Sequence, residues 1–140
     1  MTQRILISTG GSGGHVVPAT ILYDHLRDQF NVSMSTDYRG IKFLDKNKYK
    51  IEIFNITPIS KNIFLIPFQF FLIIYLIIKS IFFLRKNKID ILISTGGYMS
   101  IPLCLASKIL NIRLFLFEPN MVLGRSNKFF IKSCEKIFCY

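Results

Sequence analysis

The phrase Ile-Leu-Ile-Ser-Thr-Gly-Gly is written twice, at residues 5–11 and again at 91–97. Each copy opens as a short apolar run suited to a strand buried on both faces. Each closes on a glycine pair, which permits backbone angles and a close approach that a Cβ forbids. The first copy continues Ser12-Gly13-Gly14-His15 and reaches Pro18; the second continues Tyr98-Met99-Ser100 and reaches Pro102. Both prolines are expected in the first turn of a following helix, with Ser100 as an N-cap. A strand that passes through a glycine loop into a helix start offers unpaired N–H groups and a partial positive charge, the chemistry that holds phosphate. Two such loops on one sheet edge, Ser12 to Gly14 and Thr95 to Gly97, imply a ligand with two phosphates or a long phosphorylated substrate.

His15 stands where the first loop becomes helix, and two roles are open to it. A neutral imidazole takes a hydroxyl proton; an imidazolium is stabilised beside phosphates. Glu118 and Asn120, after a strand that ends on the same edge, offer a carboxylate and an amide to sugar hydroxyls. Asp37 ends the second strand and suits the ribose of a dinucleotide. That rival site fits poorly, because Gly-x-Gly-x-x-Gly needs a glycine where Val16 stands. The P-loop signature is absent, and no Asp-x-Asp pair is present, so a metal-independent site without a cofactor is expected.

The surrounding pattern alternates short apolar runs with helical stretches, the order of βαβ units and a parallel sheet. Strands are predicted at 4–8, 31–36, 49–56, 89–94, 113–117 and 136–140, and helices at about 17–29, 101–110 and 124–134. A strand of a parallel sheet is normally followed by a crossover helix, and nothing follows Tyr140. The chain is therefore expected to be a truncated piece, one domain over residues 1–140.

Composition narrows the partner. Apolar residues make up 51% of the chain with 14 Phe, and the formal charge is +10. Such a charge favours nucleic acid, anionic lipid or a phosphorylated substrate. The Phe cluster in apolar runs and are not interleaved with Lys or Arg, which argues against a nucleic-acid platform. Cys104, Cys134 and Cys139 are odd in number and lack Cys-x-x-Cys spacing, so they are expected as buried thiols in a reducing cytoplasm. The N-terminus runs straight into a strand-like segment and does not read as a signal peptide.

Residues 63–84 form a 22-residue apolar run, long enough on paper to cross a bilayer of ~30 Å. Their place between strands three and four argues otherwise, because a spanning helix would put two strands of one sheet on opposite sides of the membrane. The expectation is a helix packed partly on the sheet and partly on the membrane surface, flanked by Lys61, Lys79, Arg85, Lys86 and Lys88. No acidic residue lies between Glu52 and Asp90, so this surface suits anionic lipid.

The stretch Gly10-Gly11-Ser12-Gly13-Gly14-His15-Val16-Val17-Pro18-Ala19 closely resembles the signature loop of the MurG family of bacterial peptidoglycan glycosyltransferases. Thr36-Asp37-Tyr38-Arg39-Gly40, Thr95 to Pro102, Phe117-Glu118-Pro119-Asn120 and Gly124-Arg125-Ser126-Asn127 resemble further motifs, in order, along the whole chain. The resemblance implies the Rossmann-like N-terminal, acceptor-binding half of a two-domain GT-B enzyme, with the donor-binding half absent. It implies inverting transfer of N-acetylglucosamine from UDP-N-acetylglucosamine to the C4 hydroxyl of undecaprenyl-pyrophosphoryl-MurNAc-pentapeptide (lipid I), giving lipid II. It further implies a peripheral enzyme at the cytoplasmic face of the inner membrane. Carried over by position, Ser12, Gly13 and Gly14 reach a diphosphate, His15 is base or diphosphate ligand, Glu118 and Asn120 align the sugar, and Tyr98 lines the acceptor cleft. The family usually has His and Gln where Phe117 and Pro119 stand. A different class is also open, the non-catalytic membrane-anchoring subunit of a split glycosyltransferase whose partner chain carries the donor site.

Overall fold

The computed structural model describes residues 2–54 and 66–139. In chain order they form β1 (Arg4–Ser8), α1 (Gly13–Leu26), β2 (Asn31–Thr36), a 3-10 turn (Gly40–Phe43), β3 (Ile51–Ile53), α2 (Ile66–Lys86), β4 (Ile91–Ser94), α3 (Ser100–Ile109), β5 (Arg113–Glu118), α4 (Arg125–Phe130) and β6 (Lys136–Cys139). Predicted residues 55 and 56 of the third strand, Lys61, residues 63–65 of the apolar run and Tyr140 lie outside the described residues.

All six strands are parallel, in the order β3-β2-β1-β4-β5-β6. The chain winds outward from β1 to β3, then crosses back past its start to β4. The point where the winding reverses, between β1 and β4, is where open sheets of this kind bind ligands at the strands' carboxyl ends.

Strand alternation sorts the core into two layers. Ile5 and Ile7 point to one face with Val32, Met34 and Ile91, against Val16, Ala19 and Tyr23 of α1. Leu6, Leu92, Leu114 and Leu116 point to the other, against Leu76 and Leu84 of α2, Leu103 and Ala106 of α3, and Phe130 of α4. Among the described residues, α2, α3 and α4 thus clad one face of the sheet and α1 the other.

α2 and α3 stop in the same way. Lys88 and Asn111 take φ of 50° and 54°, and the next N–H reaches back to the helix, Ile89 to the Leu84 carbonyl at 3.0 Å and Ile112 to the Ser107 carbonyl at 2.8 Å. This left-handed stop turns each chain into the following strand.

α2 is the crossover between β3 and β4, as its place in the sequence requires. Its window Phe68–Lys86 has mean hydropathy 1.9, and 17% of that window is buried. Leu76, Ser80 and Leu84, spaced by four, are its buried stripe, with Ser80 Oγ donating to the Leu76 carbonyl at 2.7 Å. Phe68, Phe70, Phe71, Tyr75, Ile78 and Phe82 face solvent. An apolar helix exposed on this scale marks an interaction surface. Because β3 and β4 share one sheet, α2 does not cross a membrane.

Two expectations need correction. α1 begins at Gly13, four residues earlier than predicted, since the flexible glycines themselves enter the helix; Pro18 therefore lies inside it, where it has no N–H to give the Gly14 carbonyl. Of the three thiols only Cys104 is buried, Cys134 is half-buried, and Cys139 is exposed on edge strand β6. Burial pushes the Cys104 thiol up to about 12, so it is an inert core group.

Candidate functional site

The two copies of the repeated phrase lie side by side. β1 and β4 pair residue for identical residue: Ile5 with Ile91, Leu6 with Leu92, Ile7 with Ile93 and Ser8 with Ser94. The ladder continues into the loops, where Thr95 N–H donates to the Ser8 carbonyl at 3.0 Å. Both glycine pairs therefore leave the sheet at one height, on either side of the reversal point. Gly11, Gly96 and Gly97 have φ of 85°, 92° and 87°, the left-handed region open to glycine. A Cβ on Gly97 would stand 3.1 Å from the Gly10 carbonyl oxygen, so the two loops touch backbone to backbone.

Each loop feeds a helix whose start is unguarded. Neither α1 nor α3 has an acidic residue in its first turn or a side-chain cap. Helices favour acidic side chains at this end, because they offset the positive end of the helix dipole. Neither helix offsets that potential with an acidic side chain of its own first turn.

His15 spans the two loops. Its Nδ1 lies 2.7 Å from the Thr95 carbonyl, and a carbonyl only accepts, so Nδ1 carries the proton. Among the described residues no partner engages Nε2, which presents a lone pair when the ring is neutral. The ring packs on Gly96, where a Cβ would stand 3.3 Å from His15 Cε1 and 3.4 Å from Asn127 Nδ2.

Glu118 is buried, 1% exposed, and fully engaged. Oε1 accepts from the Asn120 amide nitrogen at 2.9 Å and its N–H at 3.2 Å; Oε2 accepts from the Gly124 N–H at 2.8 Å and Asn127 Nδ2 at 3.1 Å. Burial alone would raise its pKa, but these N–H donors outweigh it and hold the carboxyl below the usual range. It orders the loop from Glu118 to Gly124. Asn120 is exposed but its side chain is turned back onto Glu118. Buried Asn127, which the sequence offered only as the end of a motif with no role assigned, donates to Glu118 and the Phe117 carbonyl and accepts from Ser94 Oγ at 3.4 Å. It ties the β5 loop to the second glycine loop.

Ser100 also departs from its expected place as an N-cap. Met99 occupies the cap position, and buried Ser100 donates to the Gly97 carbonyl at 2.7 Å and meets Ser126 Oγ at 3.0 Å. It braces the loop against α4. Among the described residues, no hydrogen bond engages the Ser12 or Tyr98 hydroxyls; both residues are exposed at the edge. Gly13 packs on the Phe43 ring, and Gly14 is open to solvent.

Asp37 is likewise an anchor. Its Oδ1 accepts the N–H of Gly11 at 3.0 Å and of Gly40 at 2.8 Å, and its Oδ2 accepts Arg39 Nε at 3.0 Å. At 2% exposure it has no face for a ribose, which removes the dinucleotide alternative's carboxylate. An Asp with Gly three residues on, at the end of a strand, is a readable turn signal. Among the described residues, no three His, Cys, Asp or Glu side chains cluster as metal ligands would.

Fold and site together define a Rossmann-like α/β domain with a doubled glycine-loop ligand edge. Residues 5–139 match the glycosyltransferase family 28 N-terminal domain, and the chain belongs to that family. The UDP-N-acetylglucosamine–N-acetylmuramyl-(pentapeptide) pyrophosphoryl-undecaprenol N-acetylglucosamine transferase of Pelagibacter ubique (strain HTCC1062) is 69% identical over 140 residues, covering 100% of this chain and 39% of the relative. The transferase of the same name from Wolbachia sp. subsp. Brugia malayi (strain TRS) is 40% identical over 139 residues, covering 95% and 37%. The crystal structure of Acinetobacter baumannii MurG matches the fold with a TM-score of 0.83 at 24% identity, over 98% of this chain and 41% of that one. The chain thus spans about two-fifths of the length of these relatives.

Proposed function

We propose that this chain is the acceptor-binding N-terminal half of a two-domain GT-B enzyme. The enzyme moves N-acetylglucosamine from UDP-N-acetylglucosamine to undecaprenyl-pyrophosphoryl-MurNAc-pentapeptide. One observation carries the reading: identical strands β1 and β4 pair in register, so two glycine loops and two unguarded helix starts face one edge with His15 between them. That edge suits a diphosphate, and the names of the relatives supply a diphosphate-linked acceptor.

In this reading His15 is the base. Thr95 holds its Nδ1–H, leaving Nε2 to take the acceptor hydroxyl proton while the oxygen attacks the anomeric carbon and UDP departs. Glu118 is a positioning residue and touches no sugar, since its oxygens are spent on Asn120, Gly124 and Asn127. The exposed face of α2, with Lys79, Arg85 and Lys86 exposed beside it, rests on the cytoplasmic face of the inner membrane. Each basic residue near an anionic surface adds about 1 kcal/mol.

The test is a chimera of residues 1–139 with the remaining C-terminal part of the Pelagibacter ubique relative, assayed for transfer to lipid I. The chimera is expected to transfer and the 140-residue chain alone to be inert. A folded but inactive chimera defeats the assignment. In the active chimera, His15→Ala is expected to lower kcat roughly 10²- to 10⁴-fold with little change in acceptor KM. Weakened acceptor binding at unchanged kcat would instead make His15 a diphosphate ligand.

A further inference from the structure

We propose that Arg39 is a diphosphate ligand, a guanidinium held ready at the rim of the first glycine loop by the buried Asp37 carboxylate. The inference rests on reading the glycine loops as a diphosphate cradle, and it adds one side chain to that cradle.

The tether comes first. Arg39 Nε donates to Asp37 Oδ2 at 3.0 Å, while Asp37 Oδ1 takes the N–H of Gly11. One carboxylate, its side chain 3% exposed, thus fixes the loop and the cation to a single point. The tether uses one of the five guanidinium donors. Among the described residues the Nη1 and Nη2 groups have no hydrogen-bond partner, and the Arg39 side chain is 55% exposed.

The second observation is where the free end lies. Nη2 is 3.6 Å from the position a Cβ would take on Gly11. Gly11 has φ of 85° and no side chain to fill the space beside the guanidinium.

The local field is the third. The 3-10 turn beside Arg39 contributes Lys42 and no acid, and the first turn of α1 holds no acid. Among the described residues Asp37 is the one carboxylate in contact with Arg39, and two backbone N–H groups also donate to it. With Nε spent on Asp37, the Nη1/Nη2 edge is a planar fork that matches phosphate oxygens in a way an ammonium does not. The diphosphate has two sources in the proposed reaction, the nucleotide donor and the prenyl-linked acceptor.

The experiment titrates inorganic pyrophosphate into the 140-residue chain in mild detergent, as wild type, Arg39→Gln and Arg39→Lys, with a thermal melt of each. Arg39→Gln is expected to weaken binding roughly 10- to 100-fold, and Arg39→Lys by a smaller factor because it keeps charge and loses the fork. Where Arg39→Gln alone unfolds by stranding Asp37, the neutral pair Asp37→Asn with Arg39→Gln carries the same expectation. A folded charge-free variant that binds pyrophosphate as wild type does overturns the Arg39 assignment and leaves the cradle standing. Failure of the wild type to bind overturns the cradle and the assignment with it. Parallel titrations with farnesyl diphosphate and UDP separate the sources: a loss confined to the first assigns Arg39 to the acceptor, and to the second, to the donor. A loss with neither overturns the proposal.

Discussion

At the scale of single residues, this site is built by backbone contact where side chains would intrude. Gly97 combines both constraints, with φ of 87° and a would-be Cβ 3.1 Å from the Gly10 carbonyl oxygen. Gly97→Ala is expected to cost about 1–3 kcal/mol, read as a lowered melting temperature, because both the angle and the loop contact must yield. The two buried carboxylates work from opposite ends of the edge. Burial raises both, yet hydrogen bonds hold Asp37 and Glu118 below their ordinary values of 3.8 and 4.5. A carboxylate whose folded pKa is depressed stabilises the fold above its unfolded pKa, and that stability is lost as pH falls through the lower folded value. Acid unfolding should therefore set in below about pH 4.5. Glu118→Gln, which sets an amide NH2 against an N–H donor, is expected to cost about 1–3 kcal/mol in chemical denaturation and to flatten that acid limb. An unchanged limb would place the acid-sensitive group elsewhere.

At the scale of elements, α2 carries two demands on one helix. Its narrow buried stripe, Leu76, Ser80 and Leu84, holds it to the sheet, while a broad apolar face is left to solvent. The two faces separate by substitution. Leu84→Ala is expected to destabilise by about 2–5 kcal/mol, since it empties a fully buried site. Phe71→Ser and Phe82→Ser, at positions 69% and 68% exposed, are expected to leave stability within about 0.5 kcal/mol. Flotation with anionic vesicles should show each weakening membrane association roughly tenfold or more. Vesicle binding indifferent to both Phe substitutions would remove α2 as the docking face.

At the scale of the whole molecule, the sheet sets a carboxyl edge bearing the ligand loops and a lateral face bearing α2. A domain of charge +10 that rests on anionic lipid through this face should release as salt rises. The screening length falls from ~8 Å at 0.15 M to ~3 Å at 1 M, so the electrostatic share of vesicle binding is expected to vanish while the apolar share persists. Salt-insensitive binding would make the basic residues around α2 bystanders. The site edge shares its field with no acidic first turn in α1 or α3.

By itself the sequence determined the strands, their alternation with helices and the fact of a doubled glycine loop. These are local properties: period-2 and period-3.6 burial, and turn residues that admit few backbone states. The apolar run of α2 was also readable as a crossover, because strands on both sides of it demanded one sheet. Tertiary structure decided the rest. Only the pairing of β1 with β4 put the two copies in register, and only that register seats His15 on Thr95. The fate of each polar side chain was likewise invisible in one dimension. Glu118 and Asp37 look like ligands and Ser100 like a helix cap by type and place, yet buried polar atoms must find partners, and theirs are backbone N–H groups and neighbouring loops. Which groups remain free for a ligand is settled by what the fold has already spent, and that is a property of contacts far apart in the chain.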